Sequence, residues 1–242
     1  MKKLTALLAV CMMIVFRAAA EPLRISHDLE DSIRIGLNGN SEYIYSFCFP
    51  QVEAEDEASE LINSFYQYRA DDIRDFEIPM NADYYRTQDL TDNVTTEISY
   101  TVTCNNDDFF SVLLSTDQDG WVVYTGHTFT RKELQKGTTV ALPYLLGLLD
   151  SGVNDEWLQE RQTAKANAAV REMVWDALEE KEDFRLRPGF QEEDLEYVFF
   201  PEEDFYLDEE GNPVFYLQPG AADDSGLLTV FPISVDEILD EM

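Results

Sequence analysis

Residues 109–129 read Phe109-Phe110-Ser111-Val112-Leu113-Leu114-Ser115-Thr116-Asp117-Gln118-Asp119-Gly120-Trp121-Val122-Val123-Tyr124-Thr125-Gly126-His127-Thr128-Phe129. Two β-type runs, Phe109 to Ser115 and Trp121 to Phe129, flank Asp117-Gln118-Asp119-Gly120, where Gly120 can supply the positive φ of a tight turn. The stretch predicts an antiparallel hairpin. Upstream, Tyr43 to Phe49 is an aromatic-rich strand ended by Pro50, and Glu97 to Cys104 is a second strand whose start alternates polar with apolar residues. Between them Ala54, Ala58, Leu61, Ile62 and Phe65 build one apolar helical stripe, with acids crowding the helix start and Pro79 closing the region. Downstream, Thr130 to Gly137 is a polar link and Val140 to Leu149 a short strand and turn. A long helix then runs from the cap Asn154 to about Asp183, with apolar or small residues at Trp157, Ala164, Ala168, Val174 and Leu178. Phe205 to Leu207 and Val214 to Leu217 form a second hairpin, Leu227 to Ile233 a last strand, and a short acidic helix follows. Hairpins mixed with helices, without regular βαβ alternation, predict an α+β fold of antiparallel sheets with packed helices. The chain divides into two small domains, 21–105 and 106–242.

Forty-nine Asp or Glu residues face 17 Lys or Arg, a formal net charge of -32. That balance argues against nucleic-acid binding. With 45% apolar and 12% aromatic residues, the chain is too rich in core-forming side chains for an acidic disordered tail. Met1 to Ala20 has a basic start at Lys2-Lys3, an apolar run from Leu4 to Phe16 and Ala18-Ala19-Ala20 before Glu21, the pattern of a cleaved export signal. Arg17 cuts the run short of a membrane span. Cys11 sits mid-run, a poor place for a lipid anchor. Removal of 1–20 takes Lys2, Lys3 and Arg17 with it, so the secreted product carries -35. The expected location is secreted or extracytoplasmic, with no membrane span in the mature chain.

Cleavage leaves Cys48 and Cys104, and an oxidising compartment allows them one intrachain pairing. Both lie on predicted strands, so a Cys48–Cys104 disulfide is one expectation. Two separately buried thiols is the other.

Elements of known catalytic chemistry are sparse. His27 and His127 stand far apart with no short-spaced Cys, the wrong pattern for zinc. A nucleophile elbow, a phosphate-cradling glycine loop and a dinucleotide fingerprint are all missing from the sequence. Acidic residues are too frequent for any pair to be singled out as acid and base. From Asp117 the glycine falls fourth and Thr128 twelfth, so the calcium-loop pattern fails. No cofactor or metal is expected, and a lone His127 near a strand end reads as a hydrogen-bonding structural residue.

Tyr124-Thr125-Gly126-His127-Thr128-Phe129-Thr130, with Gly137, Leu142, the long helix, Phe205-Tyr206-Leu207, Gly211, Val214-Phe215-Tyr216-Leu217, Gly226 and Phe231-Pro232-Ile233, resembles a family of extracytoplasmic domains. That family of unknown enzymatic role occurs at the C-terminal end of the lysozyme-sensing anti-sigma factor RsiV and ahead of the catalytic domain of the peptidoglycan deacetylase PdaC. Phe49-Pro50-Gln51-Val52 and Leu61-Ile62-Asn63 look like the companion N-terminal domain. The fuller Tyr-x-Gly-Gly-Ala-His pattern is reduced here to Tyr124-Thr125-Gly126-His127, and the loop after the last hairpin reads Gln218-Pro219-Gly220-Ala221-Ala222-Asp223-Asp224-Ser225. The resemblance implies a non-catalytic binding module of the bacterial cell envelope. Its candidate partners are lysozyme, another cationic protein, or cell-wall material, held near Tyr124, Gly126, His127, Pro219, Gly220, Asp223 and Asp224. The alternative is a hydrolase of cell-wall glycan or peptide with an unrecognised carboxylate site. An acidic face is expected from Asp176 to Glu210, where 15 acids meet three basic residues.

Overall fold

The computed structural model describes residues 21–54, 56–132, 137–148, 156–181 and 184–242. The leader 1–20 with Cys11, the cap Asn154, and Leu149 and Asp183, two of the expected element ends, lie outside the described residues. The first sheet has the spatial order β1 (Ile25–Gly36), β2 (Glu42–Val52), β3 (Val94–Asn105), β4 (Phe109–Gln118), β5 (Trp121–Thr130). All neighbours are antiparallel except β2 and β3. That parallel pair requires a crossover. It is supplied by α1 (Glu57–Asp72), a π-turn (Ile73–Glu77) and α2 (Ile78–Arg86). A smaller antiparallel sheet follows, made of β6 (Phe205–Leu207), β7 (Pro213–Leu217) and β8 (Thr229–Pro232), with α3 (Leu142–Leu145), α4 (Glu156–Glu180), α5 (Leu195–Val198) and α6 (Val235–Glu241). The class is α+β, as the sequence predicts.

The β4–β5 hairpin closes on the pair Gln118–Trp121, with Asp119 at φ 51° and Gly120 at φ 86°. Two positive φ values in a two-residue loop match the twist of the flanking strands. Three expected boundaries are corrected. β2 continues through Pro50 to Val52, because its ladder with β3 ends at Phe47–Ile98 and the missing proline N–H leaves no partner on that side unpaired. The helical run passes through Pro79, which stands in the first turn of α2, where a proline costs little. Residues from Val140 to Leu148 form α3 and its flanks, preceded by the β-bridge Phe129–Thr139.

The π-turn keeps the crossover's core stripe in phase. Ile62, Tyr66, Ala70 and Ile73 face the sheet at helical spacing, and the next buried residues are Ile78 and Ala82. Ile78 N–H bonds to Ile73 O, the i to i+5 connection of a π-turn. One inserted residue thus returns the stripe to the core after a five-residue step. It meets Tyr43, Tyr45, Phe47 and Phe49, the inward half of β2, together with Phe110, Val112, Leu114 and Phe129. Each such large side chain contributes about 1.5–3 kcal/mol by burial.

This core draws on residues from Leu23 to Phe129, on both sides of the expected division at 105. It falls in the short connection between two adjacent strands of one sheet, and cutting there would expose both halves of the same core. The second core lies between α4 and the small sheet: Ala166, Val170, Val174 and Leu178 recur every four residues and pack with Phe205, Phe215 and Phe231. On α4, Trp157, Ala164 and Ala168 turn outward instead.

The expected Cys48–Cys104 disulfide is not formed in this structure, where both thiols are free. Extrapolating the Phe47–Ile98 register sets Cys48 beside Ser99, five residues short of Cys104 and about 16 Å away along the strand, against a limit of about 7 Å for a bridge. A bulge between Val102 and Cys104 also changes the face: Val102 packs on the first core and Cys104 joins the second, next to Ser111. Burial pushes the Cys104 thiol up to about 11, with nearby Asp208 adding to the effect.

Candidate functional site

β5 is an edge strand, and the second lobe caps it. The Gln218 side chain accepts from Tyr124 N–H at 2.9 Å and donates to Tyr124 O at 2.8 Å. Tyr216 Oη accepts from Gly126 N–H at 2.9 Å. Further along, Val140 N–H donates to Thr128 O at 2.8 Å and Thr130 N–H to Thr138 O at 3.1 Å. An edge that would otherwise offer bare backbone is thereby covered piece by piece. β6 crosses the outer face beside it, with Leu207 N–H donating to Ser111 Oγ at 3.0 Å. At Gly126 a Cβ would come within 1.9 Å of Phe205 O, so only glycine admits this approach.

A cleft of about 390 Å³ opens where β5 leaves this cover, lined among others by Phe65, Gly126, His127, Val140, Glu202 and Phe205. His127 turns to the helix side of β5: its Nδ1 lies 3.4 Å from Tyr66 Oη, and its ring meets Phe65 edge to face at 5.1 Å between centroids. Burial, with a smaller push from the Arg69 charge, lowers its pKa to about 4. The ring is therefore neutral at pH 7 and forms a wall of the cleft, in keeping with a structural histidine. Glu202 contributes a different feature. Its Oε2 is shut off from water and has no hydrogen-bond partner among the described residues. Such an acceptor costs free energy until a donor reaches it.

Asp204, two residues on, is buried below the cap. Burial raises its pKa to about 6, opposed by the Phe200 N–H donated to its Oδ2 at 2.7 Å and by a hydrogen bond from Gln218. Gln218 thus links a titrating carboxyl to the β5 backbone.

Of the sequence-predicted positions, Tyr124 and Gly126 lie under the cap and His127 on the cleft wall. Pro219, Gly220, Asp223 and Asp224 line a separate recess of about 340 Å³ at the other end of β5, against Trp121 and Val122. The seven residues are thus divided: Gly126 and His127 line the cleft, Pro219, Gly220, Asp223 and Asp224 the recess, and Tyr124 neither. Sequence reasoning passed over Gln218, Tyr216 and Glu202 as site residues. The signal for Glu202 was Pro201-Glu202-Glu203-Asp204 directly before strand β6, which is lost among 49 acids. Among the described residues, no three His, Cys, Asp or Glu side chains gather to hold a metal ion, and no helix is long and apolar enough to cross a membrane.

Comparison with known proteins gives one kind of match. No family model matches the chain, and no curated protein does. Among solved structures, it is similar to a member of the DUF3298 family from Bacteroides fragilis, at 10% sequence identity and a TM-score of 0.44, over 89% of this chain and 94% of that one.

Proposed function

We propose that the chain is a secreted, non-catalytic binding module of the bacterial cell envelope, and that its cleft receives a cationic side chain from a protein partner, lysozyme being the candidate by resemblance. The observation that carries this reading is the water-shielded Oε2 of Glu202, without a hydrogen-bond partner among the described residues, beside a cleft lined also by Glu203, three threonines, Phe65, Phe205 and the neutral imidazole of His127. A Lys or Arg head would satisfy that oxygen while its stem packs on Phe65 and Phe205. The field of an acidic chain would speed the encounter. His127 supports binding over catalysis, because its imidazole faces Tyr66 and Phe65 and its low pKa leaves it a weak base at neutral pH.

Replacing Glu202 by Gln tests the reading by calorimetry against lysozyme. A charge-assisted hydrogen bond contributes about 1.5–3 kcal/mol, so the variant is expected to bind about 10- to 100-fold more weakly. Unchanged affinity would remove the cleft from the account.

A further inference from the structure

The crossover helices bury one face and leave large apolar side chains on the other. Tyr68, Phe76, Met80 and Tyr84 are 75%, 67%, 65% and 60% exposed. Isolated exposed apolar residues need no explanation, but four in line do. Phe76, Met80 and Tyr84 follow at four-residue steps, a drift of about 40° each at about 100° per residue. Tyr68 is eight residues before Phe76, yet the π-turn between them inserts one residue, so the advance is that of about seven α-helical residues and the two align within about 20°. The same insertion that holds the core stripe in phase therefore holds the outer stripe in phase. The sixteen steps from Tyr68 to Tyr84, one of them the insertion, make a ridge about 23 Å long.

Its surroundings are net acidic. From Glu57 to Arg86 there are seven acids, three arginines and no Lys or His. Each arginine is already engaged: Arg69 with Asp72 and Glu77, Arg74 with Asp31 and Asp71, Arg86 with Asp83. Exposed Asp75 lies along the run between Asp71 and Asp83, which are the exposed partners of Arg74 and Arg86. A second copy of this chain would set the same acids against one another at a net charge of -32 each. An anionic lipid surface would meet no free cation. The chemistry left is that of a helix with an apolar stripe rimmed by Lys or Arg, met by flexible Met80 and by aromatic rings.

We propose that the Tyr68–Phe76–Met80–Tyr84 ridge docks a cationic amphipathic helix of a partner protein. Glu202 takes no part, so this ridge stands or falls apart from the cleft. The probe is a synthetic Leu/Lys peptide of about 18 residues, about 27 Å as a helix, compared with a permuted peptide of the same composition that has no apolar stripe. Binding to the full chain is read by fluorescence anisotropy near physiological ionic strength. The striped peptide is expected to bind at least about tenfold more tightly than the permuted one, and F76S/M80S/Y84S to erase that difference. All three side chains are exposed, and circular dichroism confirms that the variant keeps its fold. D75N/D83N, which leaves the ridge intact, is expected to weaken both peptides while preserving their ratio. Equal binding of the two peptides, or a ratio unmoved by the triple variant, would overturn the proposal. So would self-association of the chain, or its binding to neutral phosphatidylcholine vesicles, if the triple variant abolished either.

Discussion

Gln218 pairs with Tyr124 as a neighbouring strand would, taking its N–H at 2.9 Å and giving its own amide proton to the carbonyl at 2.8 Å. One side chain thus closes a unit of sheet edge and joins the two lobes. Gln218→Leu removes both bonds and leaves two backbone groups unpaired, at an expected loss of about 2–4 kcal/mol. Urea unfolding measures it, and a second outcome should accompany it: faster aggregation, since the bared β5 edge becomes a template. A midpoint equal to that of the unaltered protein would mean that the cap holds nothing.

Gly126→Ala probes the same seam by crowding. A methyl within 1.9 Å of Phe205 O can be relieved only by moving β6 away from β5. Overpacking of this kind costs about 1–3 kcal/mol. Gly36, with open space around its missing Cβ, is the control position. Gly36→Ala should stay within about 0.5 kcal/mol.

Two buried groups give opposed pH dependences. Asp204 has its folded pKa raised from 3.8 to about 6, so its burial costs stability once pH rises through that window and costs nothing below it. His127 has its folded pKa lowered from 6.5 to about 4, so stability falls as pH drops through 6.5 towards 4. Each spans at most about 3 kcal/mol, and between pH 4 and 6 the two largely offset. Asp204→Asn should gain on the unaltered protein as pH rises from 4 to 6, and His127→Phe should gain as pH falls over the same range. Parallel stability–pH curves for all three proteins would show that neither group is buried as described.

Both cysteines should titrate as free thiols in the denatured, unreduced protein. In the folded protein, partly exposed Cys48 is expected to react with a thiol reagent well before buried Cys104, although Asp28 and Glu30 add to burial in raising its pKa and slow it as well. A protein with no free thiol would restore the bridge that the strand register excludes.

What the sequence disclosed depended on whether a signal was local. The β4–β5 hairpin was legible because alternation, Gly120 and the strand lengths agree within one short stretch. β1 was missed: Leu29, Ile33 and Ile35 face the core, but Asp31 occupies the inward position between them, made tolerable by Arg74 Nε at 2.9 Å from a distant element. Helix through Pro79 was hidden for a related reason, since the π-turn that precedes it is fixed by where Ile73 and Ile78 must land on the sheet. The bulge at Val102–Cys104 gave no sign, yet it decides which core receives the cysteine. For the site, Tyr124, Gly126 and His127 were legible as a motif, whereas the pairing of Gln218 with Tyr124 spans most of a hundred residues and rests on tertiary structure alone.

The central claim, specific recognition of a cationic protein, is tested most directly by a salt series. Affinity of the chain would be measured for lysozyme and for a cationic protein of matched charge, from low salt to well above physiological ionic strength, where fields beyond about 8 Å are screened. The account predicts that both bind at low salt and that only lysozyme retains measurable affinity at high salt, through contacts such as the one at Glu202. Equal affinities that vanish together as salt rises would contradict it and leave a generic acidic surface.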